Sequence, residues 1–246
     1  MLDFTEKTHK NQQLTHYAAA VKSAHLEIKK MWHIFYADDN SVFELRALWP
    51  KGVSGSKKPV IKHYWASSYT SLDACKTAFE QDAISLNAIG YNIYTLLNPL
   101  SPDFNGKRGA QNVDIFYRHL LLVDIDRSGD TSEPATEAEI AAAKALAKKI
   151  SSFMDARGWA EPIVVMSGNG YHLYYVLDGV DNNSTSADLF KSVLNELASE
   201  FNNATVSVDT CVHNAARITK VPGTVMRKGV ESTLRPYRMA EVCDEL

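Results

Sequence analysis

Hydrophobic and polar positions change period several times along this chain. Residues 12–30 place apolar side chains at three- and four-residue spacing and predict a helix, with or without a break. VFELRAL (42–48) and IKHYWAS (61–67) read as strands joined by the Gly/Lys/Ser loop PKGVSGSKKP. Residues 71–85 predict a helix capped by Ser71, and YNIYTLL (91–97) a strand stopped by Asn98-Pro99. Residues 99–112 form the clearest loop. Next comes a strand over 119–126. Thr136 and Glu139 then make a capping box before an Ala-rich helix closed by Gly158. Strands over 161–167 and 171–177 flank Gly168-Asn169-Gly170, a hairpin signal. An amphipathic helix (186–201) and a short strand (205–209) follow.

This order predicts an α+β fold. The β-α-β-β-α-β run from 119 to 209 fits a ferredoxin-like or RNA-recognition-like mixed sheet, with helices on one face and the other free for a substrate. Residues 1–110 read as an N-terminal helical and α/β extension packed on that core. Residues 111–246 read as the RNA-recognition-like part, the two forming one domain.

The run HLLLVDID (119–126) carries the most chemistry. Its apolar residues drive toward a core, and strand alternation points Asp124 and Asp126 the same way. Burying two adjacent carboxylates is costly, and a hard cation such as Mg2+ or Mn2+ relieves the cost. The alternative is a strand running out into a solvated DxD loop.

Net charge is −3, which gives no global case for nucleic-acid binding. The distribution differs: Arg217, Lys220, Arg227, Lys228, Arg235 and Arg238 crowd a segment with few acids. Cys75, Cys211 and Cys243 are far apart, which argues against a disulfide framework or structural zinc site and favours the cytoplasm. No apolar run approaches the ~20 residues that span a membrane. The polar start, MLDFTEKTHK, does not read as a secretory signal.

Two further segments join the acidic pair. SGNGYH (167–172) has turn glycines that let backbone approach a ligand, then His172. Residues 206–224 carry Asp209 at a strand end, then Arg217, Lys220 and Thr224. Three carboxylates, Asp124, Asp126 and Asp209, could hold two metal ions, with cationic side chains on a triphosphate. Alone, His172 reads as a hydrogen-bonded structural histidine, Asp209 as a cap, and Arg217 and Lys220 as a solvated face. Tyr171, Tyr174 and Tyr175 read as packing.

At these residues the chain resembles the archaeo-eukaryotic primase (primase-polymerase) superfamily, in its plasmid- and phage-borne branch. The motifs are Val123-Asp124-Ile125-Asp126, Gly170-Tyr171-His172 and Val208-Asp209, followed by AARITKVPGT. The resemblance spans most of residues 40–230. It implies Asp124, Asp126 and Asp209 as catalytic metal ligands for Mg2+ or Mn2+. It further implies His172, Arg217 and Lys220 as phosphate contacts, with Ser167 assisting. Lys228 departs from the family pattern, because Met226 and Arg227 precede it where an Asn is common. The implied activity is a metal-dependent nucleotidyltransferase that makes or extends primers on single-stranded DNA from nucleoside triphosphates. A helicase or a separate helical primase domain is an expected partner. The rivals are a metal-dependent nuclease and a non-catalytic nucleic-acid-binding domain.

Overall fold

The computed structural model describes residues 21–246. Of the predicted first helix, residues 12–20 lie outside the described residues, and 21–31 are helical (α1). There follow β1 (Val42–Leu48), β2 (Val60–Trp65), α2 (Leu72–Ala88), β3 (Asn92–Leu96), β4 (Tyr117–Arg127), α3 (Glu137–Asp155), β5 (Ile163–Met166), β6 (Tyr171–Asp181), α4 (Ser184–Phe201), β7 (Val206–Val208), β8 (Ile218–Lys220), β9 (Val225–Met226), β10 (Arg238–Met239) and β11 (Glu241–Cys243).

The larger sheet runs β11-β5-β6-β4-β7 with every neighbour antiparallel. It contains the predicted β-α-β-β-α-β unit, extended at one edge by β11. Strand alternation divides β4 between two faces. Leu121, Val123 and Ile125 turn to the helices, whereas Leu122, Asp124 and Asp126 line a cavity on the other side. α3 packs on β4, β6 and β7 through Ala143, Leu146, Ala147, Ile150 and Met154. That is a helical stripe, and each large side chain on it stabilises the fold by ~1.5–3 kcal/mol. Ile150 is fully buried, so Ile150→Ala removes ~2–5 kcal/mol.

The helix starts follow from side-chain caps. Ser71 accepts from Ala74 N–H (3.1 Å) at α2. Thr136 and Glu139 form the predicted capping box at α3, and Gly158 adopts φ +82° beyond its end. β6 runs four residues past the predicted end, because Val180 and Asp181 pair with Arg118 and Tyr117 beyond a bulge.

The second sheet, β2-β1-β3-β8, is covered on one face by α2 through Cys75, Phe79 and Ala83. Its last strand comes from far along the chain. β8 pairs Ile218, Thr219 and Lys220 with Leu96, Thr95 and Tyr94. Asn98 braces the two sheets: its Oδ1 accepts from His119 and Leu120 N–H, and its Nδ2 donates to the Ala215 carbonyl (2.9 Å). The three cysteines are free thiols. No helix among the described residues is long and apolar enough to cross a membrane.

Candidate active site

The antiparallel register brings the first two sequence segments together. Asp124 on β4 lies directly opposite His172 on β6, and Ile125 opposite Tyr171. Ser167 N–H closes the turn by donating to the Gly170 carbonyl (2.9 Å), around Gly168 at φ +102°. Gly170 has no room for a side chain. A Cβ there would stand 2.0 Å from the Ile125 carbonyl oxygen and 2.6 Å from Asp126 Oδ1. The small residue before His172 is therefore what lets β6 lie against the acidic end of β4.

β8 supplies the facing wall. A cavity of about 300 Å³ opens between the sheets, with Asp124, Asp126 and His172 on one side and Tyr94, Thr219 and Lys220 on the other. Ser167, Asn169, Arg217 and Lys228 complete its polar lining.

His172 is held by its neighbours. Its Nδ1 is 2.9 Å from Tyr174 Oη, which is 2.6 Å from Thr219 Oγ1. Its Nε2 is 3.3 Å from Asp124 Oδ1. Burial lowers the imidazole pKa, but the Asp124 and Asp126 charges outweigh it, so the net shift is upward. As an imidazolium, both ring nitrogens donate. Nδ1 then donates to Tyr174, and Tyr174 donates to Thr219. Sequence reasoning gave Tyr174 only a packing role and singled out Thr219 not at all. The usable signal was strand period: Tyr174 is two residues from His172 on the same face.

The carboxylates differ in state. Burial pushes the Asp124 carboxyl up, but His172, then Arg217 and Lys228, bring it below the ordinary range. Burial and the adjacent Asp124 charge raise Asp126 to about 6. Asp124 Oδ1 is buried with no hydrogen-bond donor in line with it. Asn169 Nδ2 and Arg217 Nε are likewise buried and unpartnered among the described residues. Buried polar atoms are rarely left so, and such a group calls for an ion or ligand.

The remaining predicted residues take different positions. Arg217 donates through Nη2 to the Cys211 carbonyl, which fixes it at the cavity wall. Lys220 is buried, and its Nζ donates to the Val225 carbonyl (3.2 Å). Burial, aided by Arg227, lowers its pKa well below the usual lysine value. Lys228 stands half-buried in the wall near Asp126. Asp209 is adjacent without lining the cavity. Its N–H donates to the Asp124 carbonyl (2.8 Å), and its Oδ1 accepts from Cys211 N–H (2.8 Å). Among the described residues, no three His, Cys, Asp or Glu side chains converge as a metal cluster. The basic segment is also divided. Arg235 binds Glu139 (2.9 Å), and Arg238 binds Glu137 (2.6 Å), at the start of α3.

No protein-family model matches the chain, and no curated protein matches it in sequence. Solved structures do. The chain is similar to the AEP domain of the cyanophage S-2L primase-polymerase, with TM-score 0.50, 15% identity and 89% of each chain covered. It is similar to the polymerase domain of ligase D from Mycobacterium tuberculosis, solved in complex with DNA. There the TM-score is 0.50 and the identity 16%, over 89% of this chain and 80% of that one. At such identities the likeness is one of fold, and the fold of this chain is the archaeo-eukaryotic primase type.

Proposed function

We propose that this protein is a nucleotidyltransferase of the primase-polymerase kind, adding nucleotides from triphosphates to a strand templated by single-stranded DNA. One observation carries the reading. A buried acidic pair, with Asp124 Oδ1 only 3.3 Å from His172 Nε2 yet without a well-aligned hydrogen bond, shares one cavity with His172, Arg217 and Lys228. Acids and cations in one pocket suit a metal-bound phosphate tail.

The donor set fits a hard divalent cation, Mg2+ or Mn2+, held by the Asp124 and Asp126 oxygens. A bound ion would withdraw charge from the phosphoryl group under attack. Asp209, whose backbone N–H donates to the Asp124 carbonyl and whose charge acts on Asp126, is the carboxylate nearest the pair and the candidate third ligand. His172, steadied through Nδ1 by Tyr174 and Thr219, turns its Nε2 edge toward Asp124 in the cavity, where it could donate to a phosphate oxygen. Arg217 and Lys228 offset the negative charge of the tail. The 3′-oxygen of the growing strand bonds to the α-phosphorus as the bond to the β-phosphate oxygen breaks, and pyrophosphate leaves. The two halves act as one catalytic domain in this reading, since β8 completes the wall opposite Asp124.

A nuclease would also use paired carboxylates, but it has no need of cations positioned for a triphosphate. The assay is incubation with primed and unprimed single-stranded template, nucleotides and Mg2+ or Mn2+. Longer products are expected, and none from Asp124→Asn/Asp126→Asn that melts as a folded protein. Shorter products, or undiminished synthesis by that variant, would sink the reading.

A further inference from the structure

Beside the acidic cavity lies a wider one of about 570 Å³. Leu48, Tyr94, Met226 and Lys228 stand in the walls of both, so the two are adjoining chambers of one cleft. Two segments close the outer chamber: the β1–β2 loop around Lys51 and Gly52, and residues 226–229. They are fastened together. Gly229 N–H donates to the Lys51 carbonyl (2.8 Å), and a Cβ at Gly52 would stand 3.0 Å from Gly229 Cα. Asn92 grips Arg227 from β3, accepting from its N–H and donating to its carbonyl, each at 2.8 Å.

The charge in this chamber is one-sided. Lys51, Arg227 and Lys228 line it against one carboxylate, Asp130. Among the described residues none of the three cations forms an ion pair, whereas Arg235 and Arg238 of the same segment are matched by Glu139 and Glu137. Asp130 keeps its charge, its two carboxylate oxygens accepting from Ser132, so three cations against one carboxylate leave the chamber with a positive excess of two. Gathering like charges without a partner costs free energy, so a built cationic chamber points to an anion from outside the chain.

We propose that the outer chamber is a metal-independent phosphate subsite in which Lys51, Arg227 and Lys228 receive a terminal polyphosphate. The choice of ligand rests on the nucleotidyltransferase reading, which supplies nucleotides and strand ends as candidates. A polyphosphate packs several charges into one chamber, whereas a DNA backbone carries a single charge per nucleotide. The outer chamber, about 570 Å³, is nearly twice the volume of the acidic cavity that it adjoins.

The test is titration calorimetry of the full chain with inorganic tripolyphosphate in EDTA. Saturable binding is expected, weakened about tenfold by Lys51→Ala and further by Lys51→Ala/Arg227→Ala. Lys51→Arg should restore most of it. Asp124→Asn/Asp126→Asn should keep or strengthen it. Lys51 is on an exposed loop, so its single variant reports even where the double variant fails to fold. Absence of binding in EDTA, or equal binding by Lys51→Ala, overturns the subsite. Competition separates the sources. An oligonucleotide ending in a 5′-triphosphate, or a free nucleoside triphosphate, should compete at least about tenfold better than a 5′-hydroxyl strand. Equal competition by the hydroxyl strand overturns the terminal-polyphosphate assignment. Should the protein bind tripolyphosphate with this variant pattern yet incorporate no nucleotide, the catalytic reading fails and the subsite stands.

Discussion

Gly170→Ala tests the close approach on which the site depends. The added Cβ would meet the Ile125 carbonyl oxygen at 2.0 Å and Asp126 Oδ1 at 2.6 Å. The first obstacle is backbone, so a side chain cannot simply swing away. The strands must part by about 1 Å to reach ordinary contact. Overpacking of this kind costs ~1–3 kcal/mol, and a strained ladder hydrogen bond between β4 and β6 adds ~1 kcal/mol. The expected loss is ~3 kcal/mol. With a urea m-value of about 3 kcal/mol/M, the midpoint falls by ~1 M. Displacing Asp126 from His172 by that distance should lower incorporation by ~100-fold. Gly129→Ala is the control. Gly129 has φ +79° and no atom within 4 Å of a built Cβ, so only the backbone penalty of ~1 kcal/mol applies. Urea melts and primer extension on both variants settle the matter. If Gly170→Ala unfolds no earlier than Gly129→Ala and extends primers normally, the two strands are not in close contact here.

Further outcomes follow from the charges and hydrogen bonds. Asp126, raised by burial and Asp124 to about 6, stabilises the fold only while protonated. That contribution is complete below about pH 4 and is lost as pH rises through about 6. In EDTA, Asp126→Asn should therefore be more stable than the parent at pH 8, by up to ~3 kcal/mol, and the gap should close toward pH 4. Equal melting temperatures at pH 8 would contradict this. Glu139 behaves oppositely: burial raises it, but Thr136 N–H, Arg235 and Arg127 bring it down to about 2. Its contribution is full above about pH 4.5 and lost as pH falls through about 2, so Glu139→Gln should cost ~2–3 kcal/mol at pH 7 and little near pH 2. A penalty unchanged by acid would dismiss the ion network as its cause. Tyr174→Phe should cost ~1–2 kcal/mol, because His172 Nδ1 and Thr219 Oγ1 lose their shared partner. It should also slow incorporation without altering single-stranded DNA binding; a change in DNA binding alone would give Tyr174 a different role.

What was legible in the sequence was what local chemistry decides. The apolar run into Asp124 and Asp126 became β4, because its alternation serves a helix-covered face and a cavity face. Ser71, Thr136 with Glu139, and the Gly168-Asn169 turn each fix backbone within a few residues, so their positions were readable. The hairpin fixes its own register: once Ser167 and Gly170 close the turn, His172 falls opposite Val165, whereas its place opposite Asp124 comes from the pairing of β6 with β4, beyond the reach of the turn. What was not legible depends on distant partners. β8, β9, β10 and β11 are two or three residues long and exist through pairing, not through their own periodicity. Arg235 and Arg238 looked like part of one basic face, yet glutamates about a hundred positions upstream neutralise them.

The same dependence explains why equal charges in the basic segment have unequal uses. Lys220 lies on β8, whose pairing with β3 carries it into the interior; there burial lowers its pKa and its Nζ donates to the Val225 carbonyl. Arg217, just before that strand, stays at the cavity wall with its charge. Lys228, just after β9, is kept over the cleft because Gly229 is tied to Lys51 and Arg227 to Asn92. Strand pairing therefore sorts the cations into one that packs (Lys220), three that line the cleft (Arg217, Arg227 and Lys228) and two that clamp α3 (Arg235 and Arg238). A substitution that broke β8 from β3 would move all three site cations at once. Its effect on nucleotide affinity should exceed the loss from removing any single lysine or arginine.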